Sequence, residues 1–447
     1  MTTTPIPGIR LLAVVLAALG IVSCTVGPDY VRPAADVPAV YRYANGDGGA
    51  PPPPALQRGR WWEIYGDAEL DALESQVVLS NQSVLAAEAR VRQAQALVNV
   101  ARAPSFITLN VGTTNDNAVA TLGWEIDLWG RIRRSVEASA ATAEASADDL
   151  AAATLSLQAQ VAQNYFLLRM QDAQIRLLEN SVAQYERSLQ LTRNQYAVRV
   201  ASRGAVVQAE AQLNSTRAQA FDAQVGRAQL ENSIAILIGK APADLRIAAQ
   251  DTLPQIPALP SSLPSQLLVR RPDIASVERR MAAANAQVGV AAAAYYPSIR
   301  LFAGDGVDIA FAGGVALAQY ILDGGLRDAQ SAQAAAAYDE TVANYRQTVL
   351  SALRDVEDNL VALRILEQEA DAQSVAVKAA RESVTITNNQ YGAGIVNYLS
   401  VVVVQAAALI NERAEIDILG RRLVANVNLI KALGGGWEAE APTSEGP

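Results

Sequence analysis

Two stretches of about 66 residues, 131–196 and 326–391, contain no proline and repeat apolar side chains every three or four positions, as in Tyr165, Leu168, Ile175, Leu178, Val182, Tyr185 and Leu189. At 1.5 Å per residue each spells a helix of ~99 Å. A compact domain cannot contain such a rod. The pattern therefore predicts long helices packed side by side as coiled coil, with the apolar stripe as their shared core.

The two stretches are copies. Segments match at an offset of 190 to 195 residues: 94–101 echoes 284–291, Pro104-Ser105-Phe106 echoes Pro297-Ser298-Ile299, and Asn194-Gln195-Tyr196 echoes Asn389-Gln390-Tyr391. Between the halves, residues 240–264 carry Pro242, Pro254, Pro257, Pro260 and Pro264, which makes them a connector rather than a helix. Each half reads helix, strand, strand, very long helix, turn, helix. The shorter helices of the first half, 70–103 and 205–238, are each about 34 residues, so end to end they match one long helix.

Alternation of period two occurs only between the helices, at 107–111 and 120–128, and less regularly near 298–309 and 313–323. A transmembrane strand needs about 9–11 residues, and these segments just fit. Leu122, Trp124, Ile126 and Leu128 would then face lipid while Thr121, Glu125 and Asp127 face a wet lumen. A soluble sheet laid on a core satisfies the same alternation. If the strands span, four per chain cannot close a barrel, and an open edge is forbidden in hydrocarbon, so the barrel is shared between subunits. Two chains would give eight strands and a filled lumen, whereas three would give twelve and room for a channel.

Composition removes other functions. The chain has no histidine, hence no imidazole relay and no histidine metal site, and its single cysteine forbids an internal disulfide. A net charge of −9 argues against nucleic acid. Glu125 and Asp127 lie on one expected strand face without a positioned partner, which assigns no catalysis, and no phosphate-binding glycine pattern follows a strand. The one cysteine has an address: Arg10 precedes the apolar run 11–22, which ends in Ile21-Val22-Ser23-Cys24. This reads as an export signal, residues 1–23, closing in a lipobox with Cys24 as the acyl-accepting residue. Thr25 rather than aspartate follows, the arrangement that goes with outer-membrane retention.

Several motifs then resemble a known family: Cys24-Thr25-Val26-Gly27-Pro28-Asp29-Tyr30, Trp61-Trp62, 124–131 (Trp-Glu-Ile-Asp-Leu-Trp-Gly-Arg), Arg270-Arg271-Pro272-Asp273-Ile274, and the Gly434-Gly435-Gly436-Trp437 ending. In this order they resemble the outer-membrane efflux lipoproteins of the TolC/OprM type, the NodT-type outer membrane factors. The resemblance implies a mainly α fold with a small β part: a long coiled-coil α-helical barrel continued by a β-barrel shared between subunits, four strands per chain, from duplicated halves. It implies a homotrimer in outer-membrane lipid, anchored by a diacylglycerol and palmitoyl group on Cys24 and otherwise without cofactors. It further implies a passive exit duct, partnered by a periplasmic adaptor (membrane fusion) protein and an inner-membrane RND-type transporter that exports drugs or other small toxic compounds. The expected segments are the signal 1–23, a lipidated extended and collar segment 24–66, a first repeat 67–239, the connector 240–264 in an equatorial collar, a second repeat 265–433 and a flexible tail 434–447.

By the same resemblance the periplasmic end closes where helix pairs meet, giving Arg199, Ser202, Tyr391, Asn397, Ser400 and Val403 as aperture candidates. Relatives commonly carry aspartate at the positions of Ser400 or Val403. This chain carries none there, which implies weaker cation selectivity, with Val403 as an apolar constriction or the run 401–404 simply packed in the coiled coil. Arg199 matches Gly394, where glycine would serve the turn. Outer loops are short: 113–117 leaves about five residues between strands of ~10, and the second hairpin turns near Gly304 to Gly306 or at Gly313-Gly314. Arg270-Arg271-Pro272-Asp273 reads as a helix start and Trp61-Trp62 as collar packing. Two other roles stay open at this level: the outer-membrane duct of a type I protein secretion system, and a coiled-coil tether that conducts nothing.

Overall fold

The computed structural model describes residues 25–43, 59–114, 117–257, 270–306 and 309–437. The signal 1–23, the acyl acceptor Cys24, the last part of the connector and the tail beyond Trp437 lie outside the described residues.

The long helices are α3, Arg131–Ala197, and α6, Leu326–Gly392, each 67 residues and each within one residue of the expected span. An aspartate opens both. Asp127 accepts hydrogen bonds from the backbone N–H of Ile132 (3.1 Å) and Arg133 (2.8 Å), and Asp323 accepts from Gly325 N–H (3.1 Å) and Arg327 N–H (3.4 Å). The carboxylates satisfy amides that have no partner in the first helical turn and complement its positive end. This corrects the placing of Asp127 on a lumen face, because its strand ends at Ile126.

One compact unit holds residues 25–36, 86–151 and 272–350 of the described chain. Its centre is an antiparallel sheet in the order β1-β2-β3-β4, built from Thr108–Thr114, Asn117–Ile126, Ser298–Gly306 and Ile309–Ala318. Thr114 pairs with Asn117, so the first loop is tighter than expected. The second hairpin turns after Gly306, and Gly313-Gly314 continues inside β4. Val307 and Asp308, expected in the third strand, lie outside the described residues. Beside the sheet, the extended segment that follows Cys24 is strapped to α3 and to α5, Pro272–Ala293. Val26 N–H donates to Trp129 O (3.1 Å), Asn285 Nδ2 donates to Pro28 O (2.9 Å), and Tyr30 Oη donates to Glu278 (2.6 Å). Arg134, 4% exposed, joins Asp29 at 2.7 Å to Glu137 at 2.8 Å.

The second unit holds residues 37–85, 152–271 and 351–437 of the described chain. The helix expected over 70–103 breaks at Asn81 into α1, Ala68–Ser80, and α2, Gln82–Arg102. Asn81 takes an extended conformation, accepts from Ser83 N–H (2.8 Å) to cap α2, and donates through Nδ2 to Leu237 O (2.6 Å) at the end of α4, Arg203–Leu237. Ser80 Oγ donates to Ile238 O at 2.7 Å. The second half repeats the junction, with Arg271 Nη1 donating to Ala432 O (3.2 Å) at the end of α7, Tyr398–Ala432. Two short helices thus meet end to end as expected, but with α1 outside the stack their 21 and 35 residues fall short of the 67 of a long helix. A buried ion network ties the connector down: Arg169, 2% exposed, reaches Glu69 (2.5 Å), Asp172 (3.2 Å), Tyr165 Oη (3.0 Å) and Ala248 O (2.7 Å). Trp61 and Trp62 are buried, edge to face at 5.9 Å.

Candidate functional site

Two helical turns, 198–202 between α3 and α4 and 393–397 between α6 and α7, carry the aperture candidates. They are built alike. Val200 N–H donates to Gln195 O (2.8 Å) and Ile395 N–H to Gln390 O (2.9 Å), each closing a helix end by a bond from beyond a left-handed residue. Those residues are Arg199, φ 64°, and Gly394, φ 76°. Ser202 Oγ then accepts from Ala205 N–H (3.2 Å) and Asn397 Oδ1 from Ser400 N–H (3.1 Å), so both are helix N-caps rather than free polar groups. Ser400 Oγ also lies on Asn397 Oδ1 at 3.3 Å.

Behind the turns sits an apolar cluster of Tyr185, Leu189, Ala209, Leu213, Tyr391, Tyr398 and Val401. Tyr391 is buried with its ring 5.5 Å from that of Tyr398, and its hydroxyl is hydrogen-bonded to Thr192 Oγ1 at 3.1 Å. Burial pushes the Tyr185 and Tyr398 phenols above their ordinary range, so both stay protonated. The valine run divides: Val401 is fully buried, whereas Val403 is 59% exposed. Sequence reasoning missed Thr192 and Tyr398; the repeated Asn-Gln-Tyr motif pointed to the tyrosine but not to its partner.

The sheet has two chemically distinct faces. Residues directly opposite in an antiparallel pair share a face. The register Leu109↔Leu122, Trp124↔Leu301↔Val315 and Ile126↔Ile299↔Leu317 therefore gathers one apolar face, as the alternation predicted. Thr121 pairs with Asn110 on the other face, and Glu125 pairs there with Arg300. Glu125 is not the partnerless carboxylate expected from sequence: it bonds Arg131 at 2.6 Å and Arg300 at 3.4 Å. With Asp127 consumed as a cap, neither acid is left to act as a base.

The sequence pattern of the family described as outer membrane efflux protein matches residues 73–240 and 263–435. The toluene efflux pump outer membrane protein TtgC of Pseudomonas putida is 30% identical over 96% of this chain and 96% of its own. The cation efflux system protein CusC of Escherichia coli is 26% identical over 94% of this chain and 97% of its own. Among solved structures, the outer-membrane channel OprN superposes with a TM-score of 0.83 at 28% identity, covering 93% of this chain and all of that one. The fold class is the expected one, helical barrel and shared β-barrel with four strands per chain. With duplicated halves, matched turns and a two-faced sheet in hand, the chain belongs to the outer membrane efflux protein family, whose members are outer-membrane channels and not enzymes.

Proposed function

We propose that the chain is the outer-membrane exit duct of a tripartite efflux pump, a homotrimer that passively conducts small toxic compounds delivered by a periplasmic adaptor and an inner-membrane RND-type transporter. One observation carries it: the β1-β2-β3-β4 sheet has an apolar face and ends in two strands, β1 and β4, with no further partner among the described residues. In hydrocarbon each unpaired backbone group costs several kcal/mol, so the edges call for other copies of the sheet. Three copies make twelve strands, enough to enclose a water-filled lumen lined by the face that holds Thr121 and Glu125. A non-conducting tether needs the rods but not this sheet.

Cys24 takes the diacylglycerol and palmitoyl anchor in this reading. Thr25, the residue after it, lies against Gly130 at the junction of β2 and α3. Palmitate labelling of wild type and Cys24→Ser tests the anchor. Planar-bilayer recording of the detergent-purified oligomer tests the duct: steady channels are expected, and their absence from folded, inserted trimers overturns it.

A further inference from the structure

The charge at the two turns has a sign opposite to that of the chain. From residue 188 to 209 the sequence contains Arg193, Arg199 and Arg203 and no acid, and from 383 to 411 it contains no charged residue at all, in a protein of net charge −9. Arg193 is neutralised by Glu210 at 2.7 Å. Arg199 and Arg203 are exposed and make no ion pair among the described residues. Each turn joins the C-terminus of one helix to the N-terminus of the next, so the helix dipoles cancel and side chains set the local potential.

Apart from Glu210, which is paired with Arg193, the acids nearest in sequence cannot offset this. Glu186, Glu382 and Glu412 lie roughly 15–21 Å back along their helices at 1.5 Å per residue, beyond a Debye length of about 8 Å at physiological salt. Glu186 and Glu412 are moreover paired, with Arg217 and with Arg381. The two turns and the helix ends beside them also expose Val198, Val200, Ile395, Leu399 and Val403, together with the polar Asn194, Ser202 and Asn397.

We infer that the periplasmic aperture is an anion-selecting filter, with Arg199 and Arg203 as its specificity-determining residues, favouring solutes that carry carboxylate or sulfonate groups over cations. The inference rests on the duct reading above, together with the family resemblance that sets the aperture at these turns. A ring of like charge at a constriction raises the local concentration of counter-ions and lowers that of co-ions.

The test is the reversal potential of the purified trimer in asymmetric KCl, for wild type and for Arg199→Gly/Arg203→Gln. That variant removes both charges and also relieves the left-handed arginine, so it folds at least as well as wild type. Chloride preference in wild type, lost or inverted in the variant, is the expected result. Cation preference that is the same in both overturns the filter and leaves the duct standing, whereas folded trimers that form no channel in either protein overturn the duct. The filter is also read independently of current, by the binding of the trisulfonated dye pyranine to the trimers at low salt, followed by fluorescence anisotropy. Binding weakened roughly tenfold or more in the variant supports the filter, and equal binding overturns it.

Discussion

Arg199 and Gly394, 195 positions apart, hold the same left-handed conformation at the ends of two equally long helices, φ 64° and 76°. Glycine adopts it freely, whereas an L side chain there costs about 1–2 kcal/mol. Arg199 is the one non-glycine residue with positive φ among the described residues, and the open space around Gly394 leaves no steric reason for the difference. Arg199→Gly is therefore expected to stabilise each protomer by about 1 kcal/mol and Gly394→Arg to destabilise it by a similar amount. Thermal dissociation of the detergent-solubilised oligomer checks both. Identical midpoints for wild type and Arg199→Gly would show that the turn imposes no strain.

A second pair of copies predicts a larger effect. A Cβ built on Gly239, φ 71°, falls on the carbonyl oxygen of Ser80, and one built on Gly434, φ 93°, falls on that of Arg270. At both places a helix C-terminus meets the chain entering the next helix, so backbone meets backbone and neither can yield. Gly239→Ala and Gly434→Ala should each cost about 3 kcal/mol or more, with loss of assembled oligomer on semi-native gels. Gly59→Ala is the control: it has φ 76° but nothing within 4 Å, so only the conformational cost remains.

These junctions mark the limit of what could be read from sequence. The long helices were legible to a residue because proline-free periodicity needs no tertiary information. The equivalence of Arg199 and Gly394 followed from the repeat alone. Asn81 was not legible as a break, although Ser80-Asn81 are capping residues, because the partner that settles the matter, Leu237 O, is 156 residues away. Gly313-Gly314 looked like a turn, yet Gly314 stays in the strand because the Phe302 ring lies over it, with Cζ 3.0 Å from where a Cβ would stand. Asp127 matched the strand alternation and was claimed by the following helix instead. In each miss a long-range or competing contact overrode a correct local signal.

The hydroxyl of Tyr391 joins the end of α6 to Thr192 on α3 across 3.1 Å, inside the cluster behind both turns. Tyr391→Phe keeps the ring packing against Tyr398 and leaves the Thr192 hydroxyl without this partner, a loss of about 1 kcal/mol. If the aperture opens by parting these helices, the variant raises single-channel open probability in planar bilayers with little change in folding. Thr192→Val should do the same, and the double variant should add little more, because both remove one interaction. Full additivity of the two changes would break the assignment.

Glu74, on α1, is fully buried, and no side chain hydrogen-bonds its carboxylate oxygens. Burial pushes its acid well above the usual carboxylate range, Asp71 adds to the rise, and the backbone of Ala162 offsets it only in part. The folded protein therefore holds a proton here that the unfolded chain, with an ordinary glutamate near 4.5, releases. The stabilisation is fully present below that value and falls as pH climbs to and through the folded pKa, by at most about 1.4 kcal/mol per pH unit. Glu74→Gln keeps the shape and the neutral charge, so its stability should lack this decline. Urea unfolding of both proteins between pH 5 and pH 9 gives the comparison, with all other titrating groups common to the pair. The gap should widen in favour of Glu74→Gln as pH rises, whereas parallel curves would mean that Glu74 is ionised in the fold and finds a counter-charge.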